Sequence, residues 1–305
     1  MKTRFVLGVI ALCFIIVGTY IYYNRYMFFK YLPNVENTEN FQNLNGKLYD
    51  ENGKPFTGRK KESNDEYTDI YSYKDGELDG LNVIYYKNNI KEIGHWKDGK
   101  QNGLFQLYTE DGILIDNANF KNGERDGLTK QFYNDTGKIR ASLFYKNGIP
   151  DGEYKVYYTN GNLQVEANYK DGQLDGNYKE YYENGNTRYI GSYKNNLQDG
   201  EWKFYLENKI LKTVVNFKNG ELNGLKEDYY ENGNLWTRQE FKNNIQEGID
   251  EVYYEDGTLQ SKIKIKDGYI VEEQRFNRDG TPVNNTENNR YISDDITITE
   301  IDENT

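Results

Sequence analysis

Between residues 45 and 276 the chain alternates short apolar runs with polar corners. The runs are about nine to eleven residues long and rich in Tyr, Phe, Val and Ile. Each reads as a β-strand, with side chains pointing alternately to the two faces. Gly or Asn punctuates the chain too often for three helical turns to form. The corners are regular. A glycine recurs at Gly58, Gly80, Gly103, Gly127, Gly152, Gly176, Gly200, Gly224 and Gly248, at intervals of 22 to 25 residues. A short, near-fixed period signals a tandem-repeat architecture.

Residue types recur inside each unit. Seven positions before the glycine stands an aromatic: Tyr73, Trp96, Phe120, Tyr145, Tyr169, Tyr193, Phe217 and Phe241. The next residue is lysine in every unit from Lys74 to Lys242. A two-residue corner follows, such as Asp75-Gly76, Asn122-Gly123 or Asp171-Gly172; two units have Asn195-Asn196 and Asn243-Asn244. A type I′ turn needs positive φ at both central residues, and Asn tolerates this best after Gly. A second corner follows each glycine, at Asp111-Gly112, Asn160-Gly161, Asn184-Gly185, Asn232-Gly233 and Asp256-Gly257. Asn88-Asn89, Thr136-Gly137 and Asn208-Lys209 are looser versions. Two strands thus make one repeat, and two-residue corners make neighbours antiparallel. The expectation is an all-β, elongated, single-layer antiparallel meander of about seventeen strands, a twisted ribbon on the order of 80 Å long.

Pairing Lys194 with Leu197 across the Asn195-Asn196 corner assigns the faces. Tyr193, Trp202, Phe204 and Leu206 then share a face with Gly200. Tyr154, Val156, Tyr158, Tyr178 and Tyr182 fall on the same face in neighbouring units. Lys194, Arg188, Asp199, Glu201, Lys203 and Tyr205 fall on the other, solvated face. Tyr154, Tyr158, Tyr169, Tyr178, Tyr182, Tyr193, Trp202, Phe204 and Phe217 are therefore the candidate binding surface. The structural reading of the same ladder is cross-strand aromatic pairing, worth roughly 0.2 to 1 kcal/mol a pair. The glycines Gly80, Gly103, Gly127, Gly152, Gly176, Gly200, Gly224 and Gly248 are read as structural, each covered by the aromatic seven positions earlier on the diagonal. On that reading Gly176→Val clashes with Tyr169.

The N-terminus differs. Residues 5–23 (FVLGVIALCFIIVGTYIYY) carry no charge, and as a helix would span about 28 Å, close to a bilayer core. Lys2 and Arg4 precede the stretch; Arg25 and Lys30 follow. No small-x-small cleavage pattern follows Gly18, and Leu12 stands where lipidation of Cys13 requires a small residue. The stretch is read as one transmembrane helix, an uncleaved signal anchor, with cleavage or Cys13 lipidation as the alternatives. The expected order is a cytoplasmic 1–4, the anchor 5–23, a linker 24–44, the array 45–276 and a disordered acidic tail 277–305, with a short strand around Ile296 to Ile298. The two leading charges place the array outside the membrane.

Composition narrows the function. There are 30 Tyr against 2 Met, and the net charge is -11. No basic footprint for nucleic acid is visible. One cysteine, Cys13, and one histidine, His95, argue against a disulfide, a His-based metal site or a catalytic triad. The D-G-x-L-D-G strings (Asp75 to Gly80, Asp171 to Gly176) lack the alternating carboxylates of a calcium loop and read as turns. The lysine row from Lys74 to Lys242 reads as a solvated face, neutralised by adjacent Asp and Glu. No hydrolase or nucleotide motif appears. No cofactor, metal or catalytic residue is expected.

The segment Trp96-Lys97-Asp98-Gly99-Lys100-Gln101-Asn102-Gly103 resembles the core of the MORN repeat: aromatic, Lys, turn, Gly, two spacers, Gly. The half-repeat Tyr229 to Leu235, YYENGNL, is similar to the bacterial YwqK-type antitoxin group of MORN variants. The resemblance covers residues 45 to 276. The leading aromatic-x-Gly-x-aromatic of standard units is mostly absent, with Gly94-His95-Trp96 and Gly191-Ser192-Tyr193 as partial exceptions. The resemblance implies a non-enzymatic scaffold holding a protein or polysaccharide partner. The antitoxin resemblance implies, alternatively, neutralisation of a cognate toxin by direct binding.

Overall fold

The computed structural model describes residues 41–283. Over this span the chain is all-β: an antiparallel meander of tandem repeats in one sheet. The expected anchor 5–23, Cys13, most of the linker, Ile296 to Ile298 and the rest of the tail beyond 283 lie outside the described residues. Among the described residues no helix is long and apolar enough to cross a membrane. The chain divides into two compact units, described residues 41–177 with 183–185, and 178–182 with 186–283.

The repeat chemistry is clearest in the first unit at strands Ile139–Lys146, Ile149–Tyr157 and Leu163–Lys170. Lys146 pairs with Ile149 and Tyr145 with Pro150 across the Asn147-Gly148 corner. Both corner residues have positive φ, 48° and 76°, as a type I′ turn requires. The Asn-Asn corners do the same: Asn195 and Asn196 stand at 51° and 66°, Asn243 and Asn244 at 50° and 66°.

The register then slips. Leu143 faces Tyr154, so Phe144 opposes Asp151, Gly152 and Glu153 together. This is a bulge, and the repeat glycine occupies its left-handed position, with φ of 130° at Gly152 and 105° at Gly176. The residue before the glycine keeps one bond across the gap: the Asp126 N–H donates to Asn119 O at 2.8 Å, and in the second unit that of Asp199 donates to Ser192 O at 3.0 Å. The bulge also cuts several strands in two, which yields 25 strand segments among the described residues where about seventeen strands were expected.

The glycine's neighbour is not the expected aromatic. A Cβ on Gly176 would meet Asn168 Cβ at 3.9 Å, an ordinary distance, and not Tyr169. The residue eight positions earlier is the neighbour throughout: Ser72 at Gly80, His95 at Gly103, Phe144 at Gly152, Asn216 at Gly224. The aromatic that faces the glycine comes from the next repeat, as in Gly152 against Tyr169 and Gly200 against Phe217. Backbone conformation, not ring cover, is what demands glycine here.

The second corners are also of another kind. Tyr158 N–H donates to Asn162 O and Gly161 N–H to Tyr158 O, with Gly161 at φ 95°. This is the longer hairpin with one left-handed residue, not a two-residue type I′ turn. At the poorest corner Lys209 takes that conformation, at φ 73°. The corner expected at Asn88-Asn89 sits one residue earlier, because Tyr86 pairs with Asn89.

Both rows of corners are stitched to their neighbours. At the first corners an N–H reaches back one repeat: Gly148 to Arg125 O, Gly172 to Pro150 O, Gly220 to Gln198 O, Asn244 to Leu222 O. At the second corners side chains reach forward. Asn162 Nδ2 donates to Glu183 O at 2.8 Å, Asn186 Nδ2 to Glu207 O at 2.8 Å and Asn234 Nδ2 to Glu255 O at 2.9 Å. The hydroxyls of Tyr133, Tyr182 and Tyr230 donate to the carbonyls of Tyr157, Tyr205 and Tyr253.

The sheet starts at Gln42–Leu44, paired with Lys47–Tyr49, three residues before the expected boundary. Phe56 is buried, stacks edge-on to Phe41 at 4.7 Å and covers Gly58, closing the apolar face at this end of the first unit. Beyond Phe276 a turn continues, with Asn277 N–H on Thr281 O at 2.8 Å, inside the stretch expected to be a disordered tail.

Candidate functional site

The aromatic face is built from two positions of each repeat. One is the aromatic seven residues before the repeat glycine. The other lies two residues after the glycine, as at Phe105, Tyr154, Tyr178 and Trp202. The bulge opens space beside this second position, and its side chain falls onto whatever stands directly across. Phe105 lies between Gly94 and Ala118, and Tyr154 faces Ala167; both alanines are buried. Rings need small partners here, because a single sheet offers no second layer to receive them.

In the second unit five of the expected residues form one cluster. Tyr178 packs on Tyr193 at 5.2 Å and on Trp202 at 5.7 Å, and Trp202 packs on Tyr193, Phe204 and Phe217 at 5.2, 6.4 and 6.4 Å. Edge-to-face geometry dominates, which suits the ring quadrupoles. Trp202 is the centre. It is only 2% exposed, and its Nε1–H donates to Ser192 O at 3.1 Å. A Cβ on Gly191 would fall inside its ring. Tyr178, Tyr193, Phe204 and Phe217 are half-buried around it. Burial, with Glu180 adding to it, raises the pKa of the Tyr193 hydroxyl above the usual tyrosine value, so it stays neutral.

The other expected residues stand apart. Tyr154 and Tyr169 form a pair of their own in the first unit, 5.6 Å apart. The hydroxyl of Tyr182 is taken by Tyr205 O, so this residue ties one repeat to the next. Tyr158 lies in the same row of second corners. Tyr189 was not foreseen, and packs on Phe204 at 5.1 Å. Arg188, assigned to the solvated face, lies 4.8 Å from the Tyr189 ring centre and 5.6 Å from that of Tyr182, and is held by Glu180 at 3.1 Å. The signal for the centre was in the sequence: Gly191, two residues before Tyr193, is small where Trp202 is large.

Polar residues take the ring's place in some units. Asn82 accepts a hydrogen bond from Ser72 N–H at 2.8 Å. Asp250 is 5% exposed and hydrogen-bonded by Gln246, with Oδ1 buried and unpaired. Burial pushes its pKa up to about 6, only partly offset by hydrogen bonds from Gln239, Glu240 and Gln246. His95 is exposed, with Nδ1 3.2 Å from Leu104 O. Among the described residues no group of three or more His, Cys, Asp or Glu is placed to hold a metal ion.

Five consecutive stretches match the MORN repeat variant: residues 150–171, 174–195, 198–219, 222–243 and 246–267. Each MORN stretch begins just after a first corner and ends at the next, so it spans one bulged strand, one second corner and the returning strand. The cluster around Trp202 draws on three of these MORN units. The YwqK-type grouping is not distinguished by this match. No curated protein matches the chain. Among solved structures, a chain in the crystal structure of TcdB2-TccC3-Cdc42 is similar at 12% identity, with a TM-score of 0.19. The match covers 70% of this chain and 14% of that one.

Proposed function

We propose that the chain is a non-catalytic MORN-repeat scaffold, tethered to a membrane by residues 5–23, whose aromatic face holds a protein or polysaccharide partner. The observation that supports the binding face is the ring cluster Tyr178, Tyr193, Phe204 and Phe217, half-buried around the buried Trp202. Rings in this state present rigid apolar surface with a polar tip at little entropic cost on binding. The uncharged stretch 5–23 supports the tether, and the leading Lys2 and Arg4 support an array outside the membrane.

The test is a capture experiment with the full chain and with Tyr178→Ser and Phe217→Ser, checked for folding by their melting curves. Loss of a captured protein or wall polysaccharide in folded variants supports the reading. Unchanged capture overturns the aromatic face as the site. A single stoichiometric protein that poisons cells lacking this chain would move the reading to a YwqK-type antitoxin. Deletion of 5–23 is expected to move the protein from the membrane fraction to the supernatant.

A further inference from the structure

We infer that the first-corner edge of the second unit binds an anionic polysaccharide. The corners bring together residues that flank each type I′ turn on the face opposite the rings. The pairs are Lys194 with Leu197, Lys218 with Glu221, Lys242 with Ile245 and Lys266 with Tyr269. Along this edge lysine alternates with another residue, and that residue is apolar in three of four cases. Successive lysines are two strands apart, about 10 Å.

The lysines are not neutralised as the sequence suggested. All four are exposed, and among the described residues none lies within an ion pair. The corners beside the first three are Asn195-Asn196, Asn219-Gly220 and Asn243-Asn244, which carry no charge. Glu221 and Asp267 are the acids beside the row, against four lysines. The edge is therefore locally cationic on a chain of net charge -11. A polyanion is repelled by the chain as a whole, so binding must be confined to this row.

The apolar residues select the kind of polyanion. Leu197 is 47% exposed, Ile245 55% and Tyr269 76%. Leu197 rests against the next corner, 3.3 Å from where a Gly220 Cβ would stand. Fixed cations separated by fixed apolar surface match a polymer whose acidic groups alternate with the C–H faces of sugar rings. The uncharged corners leave those faces undisturbed. A polypeptide or lipid surface supplies the acid but not that alternation at a set period.

The test uses the full chain in non-ionic detergent, with hyaluronan, which carries one carboxylate per disaccharide, as the probe and neutral dextran as its control. The triple variant K194Q/K218Q/K242Q is expected to lose at least tenfold in affinity. K54Q/K212Q/K264Q, exposed lysines away from the row, removes equal charge and is expected to stay within twofold. The single variant Lys218→Glu, at an exposed position, guards against a misfolded triple and is expected to weaken retention with an unchanged melting curve. Equal loss in both triples, equal binding of dextran, equal or tighter binding of polyglutamate or anionic vesicles, or no retention of hyaluronan overturns the proposal. None of these readouts depends on the aromatic face.

Discussion

The fit between Trp202 and Gly191 can be tested as a pair. Gly191 lies inside strand Thr187–Lys194 without the left-handed φ of the repeat glycines, so alanine there brings no backbone strain. It brings only a methyl group. That carbon would stand 2.6 Å from Trp202 Cγ and nearer still to other ring atoms, against a comfortable carbon–carbon separation of about 3.5–4.0 Å. The ring must shift by about an ångström, which breaks its contacts with Tyr178 and Tyr193 and its bond to Ser192 O. Overpacking of this kind costs about 1–3 kcal/mol. Trp202→Ala alone removes a nearly buried ring and is expected to cost about 3–5 kcal/mol. In the double variant the methyl group enters space the indole has left. The two costs should then fall short of their sum by about 1–3 kcal/mol. Urea unfolding followed by far-ultraviolet circular dichroism reads all four proteins of the cycle. Additivity within about 0.5 kcal/mol would refute the claim that glycine is there to admit the indole.

Three further outcomes are expected. Asp250 has its pKa raised in the folded chain, so folding favours its protonated form: stability falls as pH rises from the ordinary aspartate value towards about 6, and the cost is complete above that. Asp250→Asn should therefore stabilise at pH 8 by on the order of 1 kcal/mol, after allowance for solvent reaching the site, and do little at pH 3; equal melting shifts at both values would contradict the assignment. Lys209→Gly relieves a left-handed lysine and should raise stability by about 0.5–1 kcal/mol in urea melts, whereas a loss would mean that the lysine side chain matters more than its backbone. Asn234→Ala removes the bond to Glu255 O and should cost about 0.5–1.5 kcal/mol, with faster amide exchange concentrated at the adjoining corner; uniform exchange across the sheet would contradict the stitching.

Strands, corners and faces were legible because each rests on local chemistry. Period-2 alternation places Trp202, Phe204 and Tyr193 on one face whatever the rest of the chain does, and Asn195-Asn196 can close a tight hairpin by backbone tolerance alone. The bulge was not legible. Its cause is a conformation at Gly176 and its equivalents, and a glycine at a strand position reads equally as a bare patch awaiting a ring. The motif YYENGN was visible as a repeat but not as a set of ties, since the Glu183 carbonyl that receives Asn162 lies in the next unit. The centre of the cluster was hidden for a related reason. Gly191 looked like a fragment of a family motif, and its meaning appears only when Trp202 is placed across from it.

The two-way stitching sets the quantum in which such a chain can grow or shrink. A first corner looks backward and a second corner looks forward, so an insertion of one strand would present every later corner to the wrong neighbour and turn every ring to the opposite face. An insertion or deletion of one whole repeat of about 24 residues restores both the handedness of the corners and the parity of the rings. Variation in array length should accordingly come in whole repeats, with the seam at a first corner, where donor and acceptor are both main-chain groups and any pair of units can be joined.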